Sequence, residues 1–517
     1  MTEYYVAVWG DDTDPGTKDK PYKTIQRGCD IAQPGDFVIA LEGQFDERVQ
    51  VNGAGSPGMM ITIQADGLVV MKGFTILADW ITARYFEITG TPNVNRDGFG
   101  VYLAGDNCLI EDNYIHFATR GGILIENREN DHISDCVIRK NRLYRNAMYG
   151  IAVHGRNHLI EENEVSGTIQ NHPDWIPLPS WADADGMRFH GSGHVFRKNR
   201  IWGIHYSDPL IQTAHIDCFQ TFEVAGSHEA ASNILFEQNY CEALTSQAEN
   251  ENGTCFMLGK ASDVIIRNNI LKAYSGINAH GGSDNLTVVN NLFVNDLSFQ
   301  QFYPKAIGMV DVSNAIVRNN VFYDQPYHTI SIRGDISSYE VDHNLAFRSD
   351  GQPSDCFRID WECVEPKPSD LWDVDPLFVN PNIDNYRLRE DSPAIDAGIE
   401  ISEVFDDYEG NPRPQGEDYD IGPSEYMENA MSAKNVDMIN ISNWQETGSS
   451  VPIPQYQFDL EIKWTDQDGE KHQHNGTYRY PNDISAMPNN VRKRYAEEMI
   501  IATARVMLGI NEWEDYV

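Results

Sequence analysis

Short apolar runs separated by polar pairs recur along most of the chain. Each repeat has two or three apolar residues, two polar residues, an asparagine and then more apolar residues. Self-similarity at a period of roughly 20–30 residues is typical of a solenoid. Nine asparagines hold the same place in the pattern, at intervals of 22 to 40 residues: Asn113, Asn141, Asn163, Asn199, Asn239, Asn269, Asn291, Asn320 and Asn344.

The apolar runs are four to six residues long and rich in Val, Ile, Leu and Phe, which is too short for a repeat of paired helices. The pattern therefore predicts a parallel β-helix over residues 1–426. Stacked coils place equivalent residues about 4.8 Å apart, so the asparagine amides should bond to one another as a ladder. A second column is predicted to be the same strand of successive rungs (one rung is one full coil): 121–127, 149–155, 185–191, 217–223, 254–260 and 275–281.

The rung pattern stops after Tyr426. Residues 427–455 are polar and are interpreted as a linker. The alternating runs 455–464 and 472–480, joined by an Asp-Gly turn, predict a β-hairpin. An amphipathic helix is predicted at 489–508, where Gly509 ends it. Residues 456–517 would thus form a small α+β module for attachment or oligomerisation.

The chain is strongly acidic, with 39 Lys+Arg against 78 Asp+Glu and a formal net charge of −39. This charge argues against a nucleic-acid partner and against docking to an anionic membrane. There is no apolar run of about 18 residues and no signal-peptide pattern at the N-terminus, so we expect folding in the cytoplasm. The eight cysteines show no metal-ligand spacing, and most lie among apolar strand residues, which favours reduced core thiols.

Both ends of the repeat resemble a known superfamily. The opening reads YYVAVWGDDTDPGTKDKPYKTIQ, and the other end reads DVDPLFVNPNIDNYRLREDSPAIDAG over 373–398. Together with the ladder, these segments resemble the right-handed parallel β-helix (pectin-lyase-like) superfamily of polysaccharide lyases, epimerases and phage spikes. The resemblance covers about residues 3–426 and matches no specific family. It implies a short N-terminal helix that caps the apolar end and closing rungs at 373–398.

The resemblance requires no cofactor. The acidic loop Asp11–Asp14 has the oxygen ligands that Ca²⁺ prefers, although a turn that caps the first coil is the favoured interpretation.

Two ladder intervals, of 36 and 40 residues, are longer than a rung of about 22–24 residues. The extra residues predict long loops before Asp185 and before Asp217, and long loops on a rigid scaffold commonly carry function. The first loop contains Trp175 and Trp181, and the second region contains Trp202, Tyr206 and two histidines. Exposed aromatic rings beside carboxylates suit sugars, so we expect a polysaccharide partner.

Alignment of the second column predicts which side chains share a surface. It stacks Asp185 on Asp217, Arg188 on Gln220, and His154 beneath His190. Because side chains alternate along a strand, Met187 and Phe189 point inward, and Arg188 and His190 therefore point outward. Strict alternation also groups Asp185 with the inward residues, but Asp185 begins its strand at a corner, where alternation does not fix the direction of a side chain. The predicted strip of functional residues continues through Glu223, Lys260 and His280, and His215 belongs to the long region before Asp217.

Several chemistries fit this strip. In a hydrolase, Asp185 and Asp217 would be the acid and base pair, and a separation near 5 Å on adjacent rungs suits a retaining enzyme. In a uronate lyase, Arg188 or Lys260 would neutralise the substrate carboxylate, and His190 or His215 would take the C5 proton. A C5-epimerase has the same needs. The alternative is that both aspartates are turn residues that satisfy loop amides.

Two function classes therefore remain. The first is a polysaccharide-binding protein that cleaves its ligand, and the second is a non-enzymatic structural or glycan-binding spike. A β-helix without an export signal, followed by a compact module, favours a phage virion protein that docks through 456–517. A homotrimer is expected by analogy with tailspikes. Convergence of carboxylate, histidine and Arg or Lys would favour the enzyme.

Overall fold

The structure is a computed structural model that divides into two units. The first unit comprises Met1–Pro376 with Pro393–Ser424, and the second comprises Leu377–Ser392 with Glu425–Val517. The structure describes residues 1–128, 131–173, 182–211, 214–224, 228–245, 253–298, 304–334 and 338–427, and the backbone of 435–447, 455–465 and 471–480. No helix within these described ranges is long and apolar enough to cross a membrane.

The first unit is a parallel β-helix, as the repeat predicts, and it has three faces. Its first and second faces belong to one 24-stranded sheet that begins with the strands Glu3–Val6, Phe37–Gln44 and Ile61–Met71. The first face continues through Ile81–Arg84, Leu109–Glu111, Val137–Arg139, Leu159–Glu161, Val195–Arg197, Ser232–Glu237, Ser262–Arg267, Asp284–Val289, Ser313–Arg318 and Tyr339–Asp342. The second face contains Glu87–Ile88, Tyr114–His116, Arg142–Tyr144, Glu164–Ser166, Arg200–Trp202, Tyr240–Ala243, Ile270–Ala273, Leu292–Val294, Val321–Tyr323, Leu345–Phe347 and Leu371–Trp372.

The third face is a separate 13-stranded sheet and corresponds to the predicted second column. Neighbouring strands of this sheet pair in parallel, except that the last strand pairs antiparallel with the strand before it. Its strands are Arg48–Val51, Gly73–Ile76, Phe99–Leu103, Gly121–Ile125, Met148–Val153, Ala184–Phe189, Asp217–Thr221, Thr254–Gly259, Ser275–His280, Ile307–Val310, Ile330–Arg333, Phe357–Ile359 and Glu362–Val364.

The asparagine ladder forms the corner between the first and second faces. The side-chain nitrogen of each asparagine donates to the side-chain oxygen of the next at 2.9–3.1 Å along the whole series. The nine asparagines are buried. The residue before each one has a left-handed φ between 52° and 57°, which turns the chain within two residues. The structural role predicted for these asparagines is confirmed.

The interior is apolar and is closed at the N-terminal end by a helix. The helix Ile25–Ile31 is capped by Thr24, whose hydroxyl accepts from the amide of Arg27, and it buries Ile25 and Cys29. A short 3₁₀ helix, Asn95–Gly98, precedes one strand of the third face. Under the centre of the third face lie five fully buried phenylalanines whose rings pack at centroid distances of 4.8–5.5 Å: Phe189, Phe196, Phe219, Phe236 and Phe256.

The C-terminal end of the first unit differs from the predicted closing rungs. Residues 393–424 run back along the ladder corner instead of coiling. Asn268 donates to the Asp406 carbonyl at 2.8 Å, and Asn319 donates to the Ile399 carbonyl at 2.8 Å. The side-chain amides of Asn268 and Asn319, which precede two ladder asparagines at the corner, therefore hold this return segment.

The second unit contains two antiparallel sheets. One is the hairpin Phe378–Asn380 with Asn385–Leu388, joined by the 3₁₀ helix Pro381–Ile383. The other has three strands, Asn435–Thr447, Gln455–Thr465 and Lys471–Tyr480. The last two match the predicted hairpin, while the first lies inside the range interpreted as a linker. The helix predicted at 489–508 lies outside the described residues.

The cysteines follow the core-thiol prediction with one exception. Six are buried and free: Cys29, Cys108, Cys136, Cys218, Cys241 and Cys255. Cys356 and Cys363 instead form a disulfide, which contradicts the prediction for this pair. The antiparallel strands Phe357–Ile359 and Glu362–Val364 bring the two Cα atoms to 5.7 Å, and neither residue belongs to the apolar core.

Candidate functional site

A largely buried group of charged and polar side chains lies on and beside the third face, and we call it the carboxyl cluster: Asp183, Asp185, Arg188, Asp217 and Gln220. Arg188 donates to Asp185 at 2.7 Å and to Asp183 at 2.6 Å. Gln220 donates to Asp217 at 2.8 Å, and the Asp217 amide donates to the Asp185 carboxylate at 3.2 Å. Asp185 and Asp217 are 0% and 1% exposed. The sequence predicts that Asp185 stacks on Asp217 and Arg188 on Gln220, and the structure brings these four residues together, with Asp183 as an addition.

Gly186 decides which way Asp185 points. A side chain at Gly186 would meet the core residue Ile201 at 2.5 Å, so position 186 faces inward, next to the inward Met187. Two consecutive inward positions break the alternation and leave Asp185 on the same side as Arg188. The simple alternation that grouped Asp185 with Met187 and Phe189 is therefore wrong at this corner, whereas the outward direction of Arg188 is correct.

The carboxyl cluster holds more negative than positive groups. Burial raises the pKa of Asp185 to about 7, against the lowering effect of Arg188. Burial and the neighbouring Asp185 carboxyl also raise the pKa of Asp217 well above its ordinary value. A single guanidinium faces three carboxyls, and this excess of negative charge favours the protonated form of the two buried carboxyls, Asp185 and Asp217.

One polar atom at the cluster, the side-chain oxygen of Gln220, has no hydrogen-bond partner among the residues that the structure describes. Buried polar atoms are seldom left in this state, and an unsatisfied oxygen beside ionisable groups is typical of a ligand site.

A second group, the histidine cluster, lies next to the first and consists of His154, His190 and His228. The ring centroids are 4.8 Å apart for His154 and His190, 4.6 Å for His190 and His228, and 5.4 Å for His154 and His228. Burial lowers the pKa of His154 to about 4 and that of His190 to about 2, with a further contribution from the other histidines. His154 and His190 stack as predicted, but His228 gave no signal in the sequence.

Two further histidines are part of the scaffold. The ring of His194 accepts the His158 amide at 3.2 Å, and the two rings stack with centroids 5.1 Å apart. Their other ring nitrogens bond to the carbonyls of His154 and His190 at 3.0 Å. The backbone that carries two members of the histidine cluster is therefore fixed by a histidine ladder.

The remaining predicted polar residues lie around these clusters. Lys260 forms an ion pair with Glu223 at the surface and contacts neither aspartate. His215 is mostly exposed, and its amide donates to Asp183 at 3.1 Å, so it lies at the rim of the carboxyl cluster. His280 is exposed at the end of its strand.

Of the predicted aromatic residues, the structure describes Trp202 and Tyr206, and neither is exposed as the sequence suggests. Trp202 is on the second face, 6% exposed, and its indole nitrogen donates to Glu164 at 3.3 Å. The hydroxyl of Tyr206 donates to the Ala214 carbonyl at 3.1 Å, which ties its loop together. Trp202 and Tyr206 therefore make contacts that stabilise the fold. Trp175 and Trp181 lie outside the described residues.

The N-terminal acidic loop serves local structure. Asp11 accepts from the Thr13 amide at 2.8 Å, and Asp12 accepts from the amides of Lys23 and Thr24 at 2.9 Å. These bonds fit the favoured interpretation of a turn that caps the first coil.

A cavity that sequence reasoning missed lies further along the β-helix, and we call it the basic groove. It has a volume of about 840 Å³, and Trp361 on its wall is 64% exposed, with the Arg333 guanidinium 4.5 Å from its ring centroid. Burial and the neighbouring Arg333 lower the pKa of Lys305. The cations and aromatic rings lining the groove are Lys305, Tyr327, His328, Arg348, Arg358 and Trp361.

Comparison with known proteins agrees with this fold. Residues 97–293 match the family model described as "Right handed beta helix region". One curated protein, "Uncharacterized protein YwoF" of Bacillus subtilis (strain 168), is 35% identical over 60 residues, which is 12% of this chain and 13% of that protein. The chain therefore has the right-handed parallel β-helix fold, without assignment to a specific family.

Two solved structures share the fold over most of the chain. XylC, solved in complex with xylose, covers 82% of this chain and 98% of its own, with a TM-score of 0.52 and 14% identity. Pectate lyase Pel9A covers 83% of this chain and 97% of its own, with a TM-score of 0.51 and 17% identity. Because both sequence identities are low, these comparisons show a shared fold only.

Proposed function

We propose that this protein binds a polysaccharide on the third face and cleaves it, with Asp185 and Asp217 as the acid and base pair. The observation that carries the proposal is the carboxyl cluster itself. A buried carboxyl whose pKa is raised to about 7, beside a second carboxyl on the next rung, can hold a proton at neutral pH for a leaving group. The fold shared with a pectate lyase and with XylC supports carbohydrate as the substrate class.

The contacts favour hydrolysis over β-elimination as the reaction. A lyase needs a cation that is free to neutralise the uronate carboxylate. Arg188 is already shared between Asp185 and Asp183, and Lys260 is paired with Glu223. His190 has its pKa lowered by burial and lies in the histidine cluster, which leaves His215 at the rim as the candidate base for a lyase.

We expect Asp185→Asn and Asp217→Asn each to lower the rate of glycan cleavage at least about 100-fold, because each variant removes one proton-transfer group. The purified protein would be incubated with a panel of bacterial and algal polysaccharides that also includes xylan and pectate. New reducing ends and unsaturated-uronate absorbance would be followed together. Reducing ends alone indicate a hydrolase, and both signals indicate a lyase.

The matched control is Asp263→Asn. Asp263 is an exposed carboxylate on the first face with a φ of 53°, a conformation that asparagine adopts readily. This variant should keep the activity of the unaltered protein. Equal activity in all three variants would remove Asp185 and Asp217 from the mechanism.

One observation favours the rival function, a non-enzymatic glycan-binding spike. Neither Asp185 nor Asp217 is accessible in this structure, whereas the basic groove exposes an aromatic ring among cations. Such a surface suits an acidic polysaccharide, because sugar rings stack on Trp361 beside Lys305 and Arg333, whereas Arg348 and Arg358 are already paired with Asp350 and Asp355. In this case the protein would dock through 456–517, and a virion location and a homotrimer remain predictions.

For the rival we expect Trp361→Ala to weaken the binding of an acidic polysaccharide about tenfold, because a central aromatic contact is lost. Affinity electrophoresis at two salt concentrations would measure it, and binding should weaken as salt rises. Trp9→Ala is the control, since Trp9 is exposed to the same extent (65%). Binding that survives Trp361→Ala unchanged would place the glycan elsewhere.

A further inference from the structure

The three imidazoles of the histidine cluster come from separate elements and converge on one point. His154 follows the strand Met148–Val153, and His190 follows the neighbouring strand Ala184–Phe189. His228 is joined to Val224 by two backbone hydrogen bonds, at 2.9 and 3.0 Å. One ring nitrogen of each histidine lies within 4.8 Å of those of the other two.

This spacing is close to what a metal ion requires. A zinc ion bound to imidazole nitrogens at about 2.0–2.1 Å in tetrahedral geometry holds those nitrogens about 3.4 Å apart. The side chains would have to rotate to bring the nitrogens from within 4.8 Å of one another to this distance. The backbone is already fixed, because His158 and His194 bond to the carbonyls of His154 and His190.

An unsatisfied ring nitrogen in the cluster also points to a ligand. His190 is 1% exposed, and its Nδ1 atom has no hydrogen-bond partner among the described residues. A buried ring nitrogen in this state is unfavourable unless a ligand uses it.

The cluster opens on a cavity of about 560 Å³. Glu223 and Glu229 lie on the cavity wall with the three histidines. An ion bound to three imidazoles would have its next coordination position directed toward this space, where water, a carboxylate or a sugar oxygen can enter.

We infer that His154, His190 and His228 form a binding site for a divalent transition-metal ion, with Zn²⁺ as its first candidate. The inference is independent of the proposed cleavage, because it uses none of the residues of the carboxyl cluster. The ion ties His228 to two successive rungs of the third face, so its binding stabilises the folded protein. Imidazole ligands disfavour Ca²⁺.

The test uses the full chain without a polyhistidine tag, dialysed against a chelator and then titrated with ZnCl₂ in a calorimeter. We expect one equivalent of Zn²⁺ to bind with a Kd of about 1 μM or tighter and to raise the melting temperature. His154→Gln and His228→Gln should each weaken binding at least about tenfold and abolish the rise in melting temperature. Titration with CaCl₂ should give no heat at this site.

The control variant is His343→Asn, a histidine at the ladder corner whose φ of 54° suits asparagine. It should bind Zn²⁺ like the unaltered protein. The melting curves of the metal-free variants report folding, and His228→Gln is the safer change because His228 is half-buried. Absence of Zn²⁺ binding by the unaltered protein, or equal binding by all variants, would overturn the inference.

Discussion

Replacing Asn239 with alanine is expected to lower the free energy of unfolding by at least about 4 kcal/mol. The Asn239 side chain donates to Asn269 at 3.0 Å and to the Phe196 carbonyl at 2.9 Å, and it accepts twice from Asn199, at 3.0 and 3.1 Å. Alanine leaves those buried partners without their bonds, and each unsatisfied group costs about 1–3 kcal/mol. Urea unfolding followed by circular dichroism measures the change.

Asn52→Ala serves as the comparison, because Asn52 is exposed and its side chain bonds to the exposed Gln50. That variant should stay within about 0.5 kcal/mol of the unaltered protein. A loss of stability no greater in Asn239→Ala than in Asn52→Ala would show that the ladder is not a source of stability.

Replacing Phe236 with alanine is the second change with a large expected effect, a loss of about 3–5 kcal/mol. Phe236 is fully buried, and its ring packs on Phe189, Phe196, Phe219 and Phe256 at centroid distances of 4.8–5.1 Å. The alanine removes apolar contacts and leaves a cavity that the rigid rungs close poorly. The same unfolding measurement reports it.

Two related variants calibrate this result. Phe236→Leu keeps most of the apolar volume and should cost less than about 1.5 kcal/mol. Phe405 is 70% exposed, so Phe405→Ala should have little effect on stability. If Phe236→Ala and Phe236→Leu cost the same, the cavity is not the cause of the loss.

The fold could be predicted because its main determinants repeat in the sequence. Each ladder asparagine occupies the same place in an apolar pattern, and the stacking of equivalent residues follows from one rung. The pairing of Arg188 with Gln220 across adjacent strands follows from the same alignment and is present in the structure. The return segment 393–424 could not be foreseen, since it forms no strand and uses bonds such as Asn268 to the Asp406 carbonyl.

The site was predicted in part. The proximity of Asp185, Asp217 and Arg188 follows from the register, but the facing of Asp185 depends on Gly186, where the chain departs from strict alternation. Trp202 was expected in a loop because the ladder interval is long, yet it belongs to a second-face strand. Asp183 lies two residues before Asp185, and this spacing could have marked it as a further ligand of Arg188.

Other contacts have no counterpart in a linear pattern. His228 contacts His190 from a position 38 residues further along the chain. The basic groove combines Lys305, Arg348 and Trp361 from three successive parts of the β-helix, and none of them carries a motif. Such sites are set by the positions of loops, which the repeat does not specify.

The two-residue turn at the asparagine corner has a consequence for how this protein can change over generations. All nine of these turns have the same length, whereas 17 residues separate Ser166 from Ala184, and ten separate Thr221 from Ser232, at the two edges of the third face. An insertion at the ladder would interrupt the line of amides, but an insertion at either edge of the third face leaves it whole. Sequence variation among descendants should therefore collect along those two edges, and new binding properties can arise there while the coil is inherited unaltered.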